Sequence, residues 1–225
     1  MRLNDIINES PQSDRAQRMR AEKAYEELLK AFSRMGGVEA MIPKANGLVA
    51  YDAMLGHSEE IALVLMDSSN NRGAIGGFSK DKQGNDVLYL FVDLDKDVVG
   101  QLRRNEYRKT IVHEFIHVLD SYRMDVMAPT NNLSNTDYFN DPSETNAYYQ
   151  EAISHFERQM SRIPASARDR YMERYSSRFE DFLELMSVML DDSFLKYKSV
   201  KTDRALKRRL YQYWDEEVRT GRAFT

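Results

Sequence analysis

The chain has only four histidines, and two of them stand four residues apart in His113-Glu114-Phe115-Ile116-His117. On an α-helix, four residues make about 400° of rotation and one turn of rise, so both imidazoles leave the same face. Two nitrogens placed in that way suit one tetrahedral metal ion, zinc above all. Glu114 lies about 100° further round the helix. From there its carboxylate reaches a water in the open coordination position and takes its proton during attack. The pattern therefore predicts a zinc-dependent hydrolase with Glu114 as general base. Ile111, Val112, Phe115, Ile116, Val118 and Leu119 surround the motif. They predict a largely buried helix, in which imidazoles need polar partners and a metal supplies one. The alternative is two histidines packed together in a core.

A zinc hydrolase needs a third protein ligand and one open position. The extended motif with a glycine and a third ligand inside six residues fails, because Asp120 and Arg123 occupy those places. Glu144 is the next option, in Asn140-Asp141-Pro142-Ser143-Glu144 at the start of an expected helix. There it competes with a plainer use. Asp141 and Glu144 also spell a capping box, with Pro142 at the first helical position. His155 is too far from Glu144 to bind the same ion on a straight helix, roughly 16 Å along the axis. It reads as a core or surface histidine, as does His57 in its expected loop.

Asp120 shares the stripe of His113 and His117. A carboxylate there either fixes the tautomer of a ligand imidazole or pairs with Arg103, Arg123 or another base. The oxyanion that forms during hydrolysis needs a donor. Tyr138, before Glu144, and Tyr148, one turn after it, are the candidates, with core packing as the alternative for each.

The positioning elements follow from periodicity. A helix is expected from Ser13 or Asp14 to about residue 37, with Ala21, Tyr25, Leu28, Leu29 and Phe32 at helical spacing and Gly36-Gly37 as its stop. Residues 1–13 read as a lead-in. Residues 60–66, 73–79 and 86–94 read as three short strands joined by turns, hence a small antiparallel meander. Leu48 to Leu55 fits strand or helix. From about Leu102 the chain reads as helical, with Asn105 as a cap. A polar loop is expected over 124–141, then helices from Asp141-Pro142, over 166–190 and over 202–220. In the last, Leu206, Leu210, Tyr213, Trp214 and Val218 share a side. The whole reads as one domain, 1–225, of the α+β class: a small, mostly antiparallel sheet, an active-site helix and a mostly helical C-terminal half with an extension at 156–225.

Composition narrows the function classes. The absence of cysteine excludes disulfides, thiolate zinc sites and cysteine nucleophiles. Lysine and arginine are dispersed and the net charge is −4, so no basic footprint for nucleic acid is present. No apolar run reaches membrane-span length. The polar start MRLNDIINES lacks a signal-peptide core. The expected address is the cytoplasm of the producing cell, compatible with virion association or release. Gly73, Gly76 and Gly77 form no phosphate loop. Asp93, Asp95 and Asp97 lack the rest of a calcium loop, and Lys207-Arg208-Arg209 reads as a solvated helix face.

HEFIHVLD followed by a helix bearing Glu144-x-x-Ala147 resembles the gluzincin branch of the zincin metallopeptidases, and within it the anthrax-lethal-factor-like peptidase domains. The resemblance covers about residues 60–155, and its specific part is the His-Glu-x-x-His segment. It implies a twisted sheet beside an active-site helix, with His113, His117 and Glu144 as zinc ligands and Glu114 as base. It also implies that Tyr138 is the counterpart of a catalytic loop tyrosine, and that residues 73–79 are the sheet edge on which an extended substrate pairs. Tyr148 stands where some gluzincins carry an aspartate behind the ligands, a place Asp120 is expected to fill. MRLNDIINES also resembles tailed-phage proteins. The expected function is peptide hydrolysis on a protein or peptide substrate. The competing readings are a catalytically idle zincin-fold binding or virion protein and a zinc hydrolase with a non-peptide substrate.

Overall fold

The computed structural model describes residues 11–34, 61–68, 75–80, 86–124 and 133–224. His57, the 48–55 segment, the Gly36-Gly37 stop and the turns at 69–74 and 81–85 lie outside them. The chain is mixed α+β, mostly helical, with one three-stranded sheet. It divides into two compact units, Gln17–Ala128 and Met1–Ala16 with Pro129–Thr225. No helix among the described residues is long and apolar enough to cross a membrane.

Helix α1 spans Pro11–Arg34. It starts ahead of the expected cap, because proline is admitted in the first turn, where its missing N–H costs nothing. Ala21, Ala24, Tyr25, Leu28 and Leu29 form its buried stripe.

The sheet consists of β1 (Ile61–Asp67), β2 (Gly76–Lys80) and β3 (Asp86–Val92), in the order β1-β3-β2. β2 pairs antiparallel with β3, from Gly76 opposite Leu90 to Lys80 opposite Asp86. β1 pairs parallel with β3, from Ile61 beside Asp86 to Asp67 beside Val92. The expected antiparallel meander is therefore corrected to a mixed sheet. The chain does reverse between successive strands, as its turn signals indicate. What differs is adjacency, because β3 inserts between β1 and β2. β3 is the strand best suited to the centre: Leu88, Leu90 and Val92 are wholly buried on one face. Tyr89 and Phe91 meet edge-to-face on the other, with ring centroids 5.9 Å apart.

Two helices follow, α2 (Val98–Leu102) and α3 (Asn105–Met124), the second carrying the histidine motif. The other unit is built from α4 (Asn135–Phe139), α5 (Pro142–Arg162), α6 (Ala165–Ser177), α7 (Phe179–Met189), α8 (Asp192–Tyr197) and α9 (Val200–Tyr213). A π-helical turn, Trp214–Val218, prolongs α9. Three expectations change here. The polar stretch before Glu144 contains α4, which Ser134 caps by accepting from the Asp137 N–H. The helix expected over 166–190 is two helices, because Arg178 is extended (φ −140°, ψ 128°). Residue 156, the expected start of the extension, lies inside α5. The core of this unit gathers Tyr149, Ile153, Phe156, Phe182, Met186, Phe194, Leu210 and Tyr213 among others. The side chains of Leu206, Leu210, Tyr213, Trp214 and Val218 are buried in it, as their spacing predicts.

The basic run at 207–209 is not uniformly solvated. Lys207 and Arg208 are exposed, but Arg209 is buried. Its Nε and Nη2 donate to the two carboxylate oxygens of Asp14 at 3.1 and 2.7 Å. Its guanidinium also lies 4.1 Å from the ring centre of Tyr149. Helical periodicity places Arg209 beside Leu206 and Leu210, on the side facing the core, and Asp14 makes that position tolerable. Breaking this pair leaves one buried charge uncompensated. Arg209→Ala is expected to lower the unfolding free energy by about 3–5 kcal/mol, with a much smaller loss when Asp14→Leu and Arg209→Met are combined. Denaturant unfolding of the two variants checks both values.

Candidate metal centre

Helix α3 is held from two sides within its unit. The Tyr107 hydroxyl donates to the Phe91 carbonyl of β3 at 2.8 Å, and burial raises its pKa above the ordinary phenol value. α3 packs across β2, and Gly76 lets β2 lie close against β3. A β-carbon there would meet the Tyr89 carbonyl and the Leu90 side chain at 2.7 Å, with Thr110 of α3 at 3.5 Å. At Gly77, the residue paired with Tyr89, a β-carbon would overlap the tyrosine ring. On the other side Arg108 pairs with Glu22 and Glu26 of α1 and covers the Tyr25 ring at 4.7 Å. The Tyr25 hydroxyl donates to the Leu102 carbonyl at 2.9 Å.

These contacts bury α3 all round over its middle. Ile111, Phe115, Ile116 and Val118 have no exposed surface, and Val112 and Leu119 have almost none. His113 and His117 are also buried, with 5% and 2% of their surface exposed. Their Nε2 atoms face each other at 3.1 Å, with ring centroids 4.8 Å apart and planes at 74°. Two nitrogens on one tetrahedral zinc would stand about 3.3 Å apart. The rings therefore already hold a separation close to the one zinc would impose. Glu114, next in sequence, is half-buried. Asp120 is buried on the same stripe and accepts a 2.6 Å hydrogen bond from Gln17 Nε2 of α1. The residue pattern offers a ligand imidazole or a base as its partner. Gln17 lies 103 residues away in sequence, so no local pattern pointed to it.

Glu144 sits in the first turn of α5, 2% exposed. Asp141 is the N-cap, its carboxylate accepting from the Ser143 N–H at 2.8 Å and the Ser143 hydroxyl at 2.7 Å. The backbone N–H of Asp141 donates to the Tyr138 carbonyl at 3.1 Å. A carboxylate in the first turn is favoured by the helix dipole, and a buried one calls for cationic or hydrogen-bonding partners. His113 and His117 are buried in one unit and Glu144 in the other, and all three are donor types that zinc accepts. Three donors of this kind, without sulfur, fit zinc with a position left open.

The remaining candidates lie on α4 and α5. His155 is engaged on its own helix, Nδ1 with Arg158 at 3.1 Å and Nε2 with Gln159 at 2.7 Å. Tyr138 belongs to α4 and meets the Phe139 ring edge-on at 5.0 Å. Tyr148 stacks on Phe194 at 4.8 Å and is tilted against Phe139 at 5.8 Å. Both tyrosines are half-buried against the core of their unit. Asp93 pairs with Lys96 at 2.6 Å, which holds its carboxyl below the usual range. Asn140, which sequence reasoning passed over, joins α4, α8 and α9 through its side chain.

Comparison with protein-family models, with curated proteins and with solved structures gives no match.

The division of labour at the start of α5 is measurable in metal-free protein. Asp141→Ala is expected to lower the unfolding free energy by about 1 kcal/mol, and Glu144→Gln to change it by less than about 0.5 kcal/mol. Equal losses in urea unfolding would return Glu144 to a capping role.

Proposed function

We propose that the chain is a zinc-dependent peptidase in which His113, His117 and Glu144 hold the metal and Glu114 is the general base. The observation that carries the reading is the buried imidazole pair on α3, Nε2 facing Nε2 at 3.1 Å, with a carboxylate at the next residue. Two buried ring nitrogens at that spacing are donors that one metal ion can share. Burial of Glu144 in a first turn whose N-cap is Asp141 is compatible with ligation by its carboxylate.

When bound, zinc would polarise the scissile carbonyl and make water acidic enough to be deprotonated near neutral pH. The rest of the chemistry belongs to side chains of this chain. Glu114 takes a proton from the attacking water and returns it to the leaving amine, so one carboxylate serves as base and then as acid. Its half-buried position suits that exchange. Asp120, clamped by Gln17, holds negative charge on the ligand stripe, where it favours donation from an imidazole N–H and fixes the tautomer. Tyr138 is the assigned donor to the developing oxyanion, its ring anchored against Phe139. Tyr148, stacked on Phe194, supports the core behind Glu144. The likeness to gluzincins, and to lethal-factor-like domains among them, belongs to this proposal. So does β2, an edge strand in the three-stranded sheet, as the place where an extended peptide adds.

Metal analysis of purified protein should find about one zinc per chain, the number a single three-ligand site holds. Glu114→Gln should retain that zinc while cleavage of a mixed peptide library falls by about 10²–10⁴-fold. Unchanged cleavage by the variant would remove Glu114 from the base role.

A further inference from the structure

We infer that Asn140 is a positioning residue for the metal centre, fixing where α5 begins and therefore where Glu144 is presented. This rests on the reading in which Glu144 is a ligand. Asn140 closes α4 as its C-cap and immediately precedes Asp141, the N-cap of α5. Glu144 lies within the first turn beyond it. The direction of that turn is set by the backbone at 140–141, so whatever holds Asn140 holds Glu144.

What holds it is a saturated amide. Nδ2 donates to the Thr136 carbonyl at 2.5 Å and to the Tyr197 carbonyl at 3.0 Å. Oδ1 accepts from the Ser199 N–H and from the Thr202 hydroxyl, both at 2.6 Å. An asparagine side chain has two donor hydrogens and two acceptor lone pairs, and all four are used here. The partners belong to α4, to the last residue of α8, to the N-cap of α9 and to its first turn. Three helices thus meet at one side chain. Tyr197 adds a flat stack on Phe139, with centroids 5.7 Å apart and planes at 8°, which braces the same junction. Aspartate here would lose both donors, and leucine of similar bulk would leave the carbonyls of Thr136 and Tyr197 and the Ser199 N–H without this partner. Ligand geometry tolerates little error: residues that only orient a metal ligand typically change affinity by about 10–100-fold when removed.

The test is zinc affinity of the full chain, measured by competition with a chromophoric chelator, for wild type, Asn140→Ala and Val218→Ala. Val218 is buried in the core of the same unit, and its truncation controls for lost stability alone. Asn140→Ala is expected to weaken zinc binding by about tenfold or more, with Val218→Ala unchanged. Asn140→Ala within twofold of wild type, or both variants weakened alike, overturns the inference and leaves zinc ligation standing. Wild-type protein that takes up no zinc overturns the ligation reading and this inference with it. If Asn140→Ala does not fold, Thr202→Val removes one of the four bonds at nearly constant volume. It is expected to weaken zinc binding by about threefold, and unchanged affinity there also overturns the inference.

Discussion

Two imidazoles inside an otherwise apolar helix are the constraint on which the described structure turns. Burying a ring nitrogen without a partner costs free energy that a marginally stable fold cannot spare. His113 and His117 bring their Nε2 atoms to 3.1 Å from each other. The surrounding choices keep the pair dry and fixed. Tyr107 ties α3 to β3, and Arg108 with Glu22 and Glu26 ties it to α1. Each is a long-range contact whose chief effect is to immobilise one helix.

The start of α5 obeys a second constraint, the satisfaction of helix ends. Four N–H groups at a helix start need acceptors. Asp141 supplies one, and its own N–H is taken by the Tyr138 carbonyl. Asn140 then collects the ends of α4, α8 and α9 around the same point. Glu144 is buried in the first turn beyond that junction.

The residue pattern made the elements legible and left some of their pairings hidden. The buried stripe of α1, the apolar surroundings of the histidine motif and the buried side of α9 follow from helical spacing alone. The antiparallel expectation for the sheet failed on adjacency, since turn signals report chain reversal but not which strand takes the central place. Leu88, Leu90 and Val92, with no exposed surface, show why β3 does. Arg209 looked solvated because it sits in a basic run. Its burial depends on Asp14, 195 residues away, and no local rule reaches that far. Gln17 beside Asp120 escaped for the same reason. The break at Arg178 was invisible because that residue is compatible with helix and extended backbone alike. Asn140 could have been suspected as a residue between an expected loop and a capped helix, but its partners could not.

The central claim is that a sulfur-free site of two imidazoles and one carboxylate binds zinc and leaves a position open. Zinc-edge X-ray absorption of the purified chain addresses it most directly. Imidazole scattering from two nitrogens at about 2.0–2.1 Å, with oxygen at about 2.0–2.2 Å in a four-coordinate shell, is the expected spectrum. An all-oxygen, six-coordinate shell without imidazole scattering would contradict it.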